Sequence, residues 1–121
     1  MTSATAKRSD WKTVSSSGAF AVLSYTDLFS LAEYEVLQRG LVPGSMDDKW
    51  FIYYEAPTLF LHRSWTGELI FRVTLQPREG GAVVAVAEVT TKYETDSMQA
   101  RLLPWVIRGL LLEQDFPFPG P

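Results

Sequence analysis

From Trp50 to Thr90 the chain consists of β-rich runs joined by turns too short for anything but hairpins, and this constrains the fold more than any other feature. Trp50-Phe51-Ile52-Tyr53-Tyr54 is aromatic and β-prone, and Ala56-Pro57 stops it. Thr58 to Ser64 reads as a second strand, Leu69 to Gln76 as a third and Ala82 to Thr90 as a fourth. Trp65-Thr66-Gly67-Glu68 and Pro77-Arg78-Glu79-Gly80-Gly81 supply the turns between them. A parallel neighbour needs a crossover of about a dozen residues, so these strands pair antiparallel, as a four-stranded meander. Leu69, Phe71, Val73 and Leu75 alternate with Ile70, Arg72, Thr74 and Gln76, which gives the third strand one buried and one wetter face. The fourth strand is apolar on both sides, as a central or covered strand would be.

Helical spacing flanks this region. Leu28, Phe29, Leu31, Ala32, Val36 and Leu37 form an apolar stripe, with Thr26 as N-cap, Asp27 in the first turn and Gly40 as C-cap, predicting a helix over 27–39. Phe20 to Leu23 reads either as a short strand or as an apolar lead-in to that helix. Beyond Lys92, Leu103, Ile107, Leu110 and Leu111 make a second stripe, capped by Asp96 or Ser97. Pro104 predicts a kink there or a split into two short helices. Arg101 and Arg108, seven residues apart, read as a solvated edge. The expected fold class is α+β: the meander, with an N-terminal helix and a kinked or split C-terminal helix packed on one face. The other sheet face, carrying Tyr, Arg, Thr and His, is expected to stay open for a ligand or partner. The 121 residues suit one domain. It is expected over 19–115, after a flexible arm, 1–18, with Trp11 and Val14 as possible pins. An extended Pro-rich tail, 116–121, would follow, its two Phe against the body.

Composition removes several functions. Without cysteine there is no disulfide, thiolate metal site or Cys nucleophile, and a lone histidine cannot build an imidazole zinc site. The net charge of −3 argues against nucleic acid as the main partner. No apolar run approaches the roughly 20 residues that span a bilayer, and no secretory leader is visible, so a cytoplasmic protein of bacterial style is expected. No Gly-rich phosphate loop or dinucleotide fingerprint appears, so no cofactor is expected. Open sheet edges suit a monomer or a homodimer.

The densest polar cluster is His62-Arg63-Ser64-Trp65-Thr66-Gly67. Strand periodicity sends His62 and Ser64 to one face and Arg63 and Trp65 to the other. As a site, Arg63 offers a planar fork to a phosphate or carboxylate, Trp65 a stacking surface and His62 a hydrogen bond or proton. The plainer reading is a tight hairpin with Arg63 paired to a nearby acid. Asp47 and Asp48 read as a solvated loop face or a strand-start cap, or as an acid–base pair beside Lys49, Arg63 or Arg72. Trp50, Tyr53 and Tyr54 suit cross-strand packing or the stacking of a flat ligand. Ser64 lacks the base and orienting group of a nucleophile.

Asp47-Asp48-Lys49-Trp50-Phe51-Ile52-Tyr53, then Leu59 to Gly67 with its HRSWTG sequence, and finally Arg101-Leu102-Leu103 resemble a small uncharacterised bacterial family. The likeness covers about residues 47–113. Some members carry names linked to ADP-ribosyl-protein hydrolysis. Where members place Phe or a similar residue after the glycine, this chain has Glu68.

Together these features lead to a non-catalytic binding module. It would hold a small anionic ligand or a protein partner on the open sheet face and the 62–67 turn, with Arg63, His62, Trp65, Ser64 and Asp48 as contacts. The resemblance implies an alternative, a hydrolase or transferase acting on a nucleotide or an ADP-ribose-like substrate through Asp47, Asp48 and Arg63. A third reading is an antitoxin or immunity-type inhibitor.

Overall fold

The computed structural model describes residues 5–14, 19–45, 47–91 and 97–117, with the side chains of 97–100 left aside. The expected hairpins are present as β3 (Trp50–Glu55), β4 (Thr58–Arg63), β5 (Leu69–Arg78) and β6 (Gly81–Thr90). Two earlier strands, β1 (Phe20–Leu23) and β2 (Leu28–Ser30), both pair antiparallel with β6. The sheet therefore has six strands in the order β1-β6-β5-β4-β3, with β2 beside β1 on the outer edge of β6. This corrects the four-stranded expectation. Phe20–Leu23, open from sequence between a short strand and a helix lead-in, is a strand, whereas the three residues of β2 carry too little alternation to be recognised without their long partner.

The first helix is correspondingly shorter than expected. Leu28 and Phe29 fit a helical stripe by spacing, yet they pair with Val83 and Ala82. Helix α1 spans Leu31–Arg39, and its N-cap is Ser30. Ser30 Oγ accepts from the Glu33 amide and Glu33 Oε1 accepts from the Ser30 amide, a reciprocal box that outcompetes Thr26. Gly40 closes the helix at φ +69°, where an added Cβ would stand 2.2 Å from the Ile52 carbonyl oxygen.

Helix α2 (Ser97–Trp105) carries Pro104 in its last turn and widens into a π-helical turn over Val106–Leu111. The Leu112 amide reaches back to Ile107 O at 2.9 Å. The candidate cap Asp96 lies outside the described residues, as does Phe118 of the tail; Phe116 is 38% exposed.

Both helical segments lie on one face of the sheet. Leu37, Leu103, Val106, Ile107 and Leu111 pack there on Trp50, Ile52, Leu59, Leu61, Phe71, Val73 and Val89. The β4–β5 register slips between Leu61 and His62, and the slip lets the sequence neighbours Ile70 and Phe71 both enter this core. A smaller cluster of Ala6, Phe51 and Tyr53, flanked by Trp11 and Phe60, forms on the opposite face. The N-terminal arm reaches it: the Ala6 amide donates to Arg39 O, Trp11 Nε1 to Ser64 O and the Val14 amide to Gly67 O, all within 2.8 Å.

Arg108, read as part of a solvated edge, instead joins the two ends of the fold. Its Nε and one amino group grip the two oxygens of Asp27 at 3.0 and 2.7 Å. The remaining donors reach Glu33 Oε2 at 2.7 Å, Gln114 Oε1 at 3.1 Å and Leu28 O at 2.9 Å, so each guanidinium N–H has an acceptor. The guanidinium also lies 4.9 Å from the centre of the Phe29 ring. Spacing within one segment cannot find this cluster, because its acids lie 75 and 81 residues away.

Burial disfavours the charged carboxylates of Asp27 and Glu33, but their hydrogen bonds outweigh it and hold both below the usual carboxylate pKa. Such groups stabilise the fold above their unfolded pKa of about 4, and the contribution fades as the pH falls through the folded values. Arg108→Ala leaves two partly buried carboxylates without their counter-charge and is expected to cost about 3 kcal/mol, seen as a lower urea midpoint at unchanged slope. In the variant, the loss of stability between about pH 5 and 3 should be shallower than in the wild type.

Candidate functional site

Strand β4 deals its side chains alternately to the two faces and so divides the predicted cluster. Leu59 and Leu61 enter the main core, whereas Phe60 and His62 turn to the opposite face. Arg63 returns to the helix side, where its guanidinium lies 5.2 Å from the centre of the Trp50 ring. The turn that follows is tight. Gly67, at φ +79°, donates its amide to Arg63 O at 2.8 Å, and the Arg63 amide donates to Glu68 O at 2.9 Å.

Ser64 is fully committed to this turn. It is 1% exposed; its amide donates to Lys49 O at 2.9 Å, its Oγ to Asp48 O at 2.6 Å, and its carbonyl accepts from Trp11 Nε1. Ser64 is therefore a structural residue. His62, 3% exposed, is also buried, and its Nδ1 lies 2.8 Å from Gly67 O. A carbonyl only accepts, so Nδ1 carries the proton and Nε2 is an acceptor. Among the described residues Nε2 has no partner. Burial pushes the His62 pKa down; the Gly67 bond partly opposes this and nearby Arg8 adds to it, so the ring is neutral at pH 7.

Arg63 and Trp65 are exposed. The Trp65 side of the molecule is a groove in two stretches. One, of about 370 Å³, is lined by Trp50, Arg63, Trp65, Thr66 and Glu68. The other, of about 490 Å³, runs from Arg63 and Trp50 past Asp47 and Asp48 to Trp105 and Leu110. Trp65 is 60% exposed. Arg63 makes no ion pair or side-chain hydrogen bond with any described residue, although carboxylates line the same groove. The turn itself is the expected tight hairpin, and among the described residues no acid pairs with Arg63. Asp48 caps its own loop through Oδ2, which accepts from the Gly44 amide at 2.8 Å. Neither Asp47 nor Asp48 pairs with Lys49, Arg63 or Arg72 among the described residues. No group of three or more acids and histidine that could hold a metal occurs among the described residues.

The opposite face carries a separate cleft of about 400 Å³, lined among others by Arg8, Tyr53, Phe60, His62 and Arg72. Tyr53 is among the aromatics that the sequence offers for packing or stacking, whereas nothing in the sequence singles out Arg8. A period of two from Phe51 places Tyr53 there, and the wetter face of the third strand places Arg72. Arg8 lies in the N-terminal arm and needs the Trp11 anchor to be found.

The depressed His62 pKa makes its contribution to stability complete above about pH 6.5 and lost as the pH falls through the folded value. Wild-type protein should therefore lose stability between pH 7 and 5, and His62→Asn, which cannot titrate, should be flat over that range in chemical denaturation. Ser64→Ala should cost about 1 kcal/mol through the lost bond to Asp48 O. Comparison of the chain with protein-family models, with curated proteins and with solved structures returns no match.

Proposed function

We propose that the chain is a non-catalytic binding module that docks a protein partner through the groove around Trp65 and Arg63. One observation supports this most directly: an exposed indole stands beside a guanidinium that lies over Trp50 and that no described carboxylate pairs with. Trp and Arg are the side chains that most often dominate binding energy at interfaces, because each combines large contact area with directed donors. The groove carries Arg63 and Lys49 against Asp47, Asp48 and Glu68, alongside Leu41, Leu102, Trp105 and Leu110. This mixture of apolar surface and both charges suits a folded partner's surface better than a bare anion. The complementary feature is a carboxylate for Arg63 next to an apolar side chain for Trp65. An inhibitor of the antitoxin or immunity type would use such a surface to cover another protein.

The resemblance to the HRSWTG family favours a second reading, in which the same groove holds an ADP-ribose-like or nucleotide ligand. Its specific support is that Asp47, Asp48 and Arg63 line one stretch of the groove.

Trp65→Ala and Arg63→Ala separate these readings. Each should leave thermal unfolding nearly unchanged, since both side chains are exposed. In affinity capture followed by titration calorimetry with the captured protein, each should weaken binding about 30-fold or more, as for a hot-spot residue. Stabilisation by ADP-ribose that vanishes in Arg63→Ala, with no protein captured, would favour the second reading and sink the first.

A further inference from the structure

The cleft on the sheet face opposite the helices shares no lining residue with the Trp65 groove, and its chemistry is different. Its volume, about 400 Å³, lies within the range of small-molecule sites. The floor is a shelf of near-parallel rings: Tyr53 stacks on Phe60 at 5.1 Å and on His62 at 5.5 Å, each at 20°. Arg8 enters from the arm and Arg72 from β5, against one lining carboxylate, Glu55. Arg72 is answered from outside the lining by Glu88 at 3.2 Å, which leaves Arg8 as the lining cation for an anionic ligand. Arg8 has no ion pair or side-chain hydrogen bond with any described residue.

Behind the shelf lies the unpaired acceptor. With Nδ1–H spent on Gly67 O, the imidazole turns a bare Nε2 to its other side, and no described residue donates to it. A buried acceptor left unpaired in this way is matched by a ligand that brings its own donor.

We propose that this cleft binds a small planar heterocyclic anion bearing a ring or exocyclic N–H. Its carboxylate or phosphate pairs with the Arg8 guanidinium, its ring lies along Tyr53 and Phe60, and its N–H donates to His62 Nε2. Nε2 has less than 1 Å² of accessible surface, so the cleft rearranges as the ligand enters, and Arg8, Thr13 and Val14 of its lining belong to one arm segment. The Val14 amide holds that segment to Gly67 O, the carbonyl that also takes the His62 proton, so the arm and the ring respond together. The site is independent of the partner surface around Trp65.

His62 is the single histidine, so ¹⁵N-histidine labelling gives one imidazole to follow by NMR. The probes are AMP, GMP, UMP and orotate, each an N–H-bearing anion, with inorganic phosphate as the anion alone. At least one of the four should move the Nε2 resonance upfield saturably, and phosphate should not. Arg8→Ala should weaken that binding at least tenfold. His62→Asn, which keeps a donor for Gly67 O and deletes Nε2, should weaken it comparably when followed by calorimetry. Arg63→Ala, on the opposite face, should leave it unchanged. An Nε2 resonance that stays in place with all four probes overturns the assignment. Equal affinity in Arg8→Ala overturns it as well, and that exposed position decides the matter even if His62→Asn does not fold. A response to phosphate as large as to the heterocycles removes the N–H recognition and with it the proposal.

Discussion

The Arg108 guanidinium is the interaction on which the rest of the arrangement depends. It fixes Asp27 just before β2, Glu33 in the first turn of α1 and Gln114 beyond the π-helical turn, so one side chain ties the chain's start to its end. The cluster is partly shielded, with side-chain exposures of 17% for Arg108, 20% for Asp27 and 23% for Glu33, and this makes its geometry worth more than that of a surface pair. Five donors in a rigid fork require acceptors at five set positions, which a lysine could not satisfy. Because Glu33 also closes the Ser30 cap, the same charge that holds the C-terminal segment decides where α1 begins.

What the sequence displayed was mostly what depends on near neighbours. The four hairpin strands follow from period-two patterning and short turns, and the register makes Trp50 face Arg63 and Phe51 face His62 as expected of an antiparallel pair. Leu28 and Phe29 were misread because a strand of three residues and the first turn of a helix have the same apolar content; only pairing to Ala82 and Val83 separates them. Arg108 was misread for a related reason. A charge on an apolar helix looks solvated until its distant acids are placed beside it.

The candidate site shows the same limit more sharply. Its residue types and their division between two faces follow from strand period, but which of the two faces would be buried does not. Trp65 and Arg63 are exposed, whereas His62 and Ser64 are drawn into the hydrogen bonds of the turn. The arm could not be weighed from composition alone, since its Ser, Thr and Ala content hides how firmly Ala6, Trp11 and Val14 are bonded to the body.

The two short strands on the flank of β6 have a consequence for how the molecule keeps to itself. A long bare edge would template another chain, but here the outer edge is broken into four residues and three, separated by Ser24 to Asp27. At the other margin, Leu41 exchanges hydrogen bonds with Ile52 in both directions and occupies the middle of β3. A foreign strand finds no more than about half a dozen consecutive peptide groups at either margin, too few for stable accretion. The interruptions that keep β1 and β2 short thus act as terminators of sheet growth.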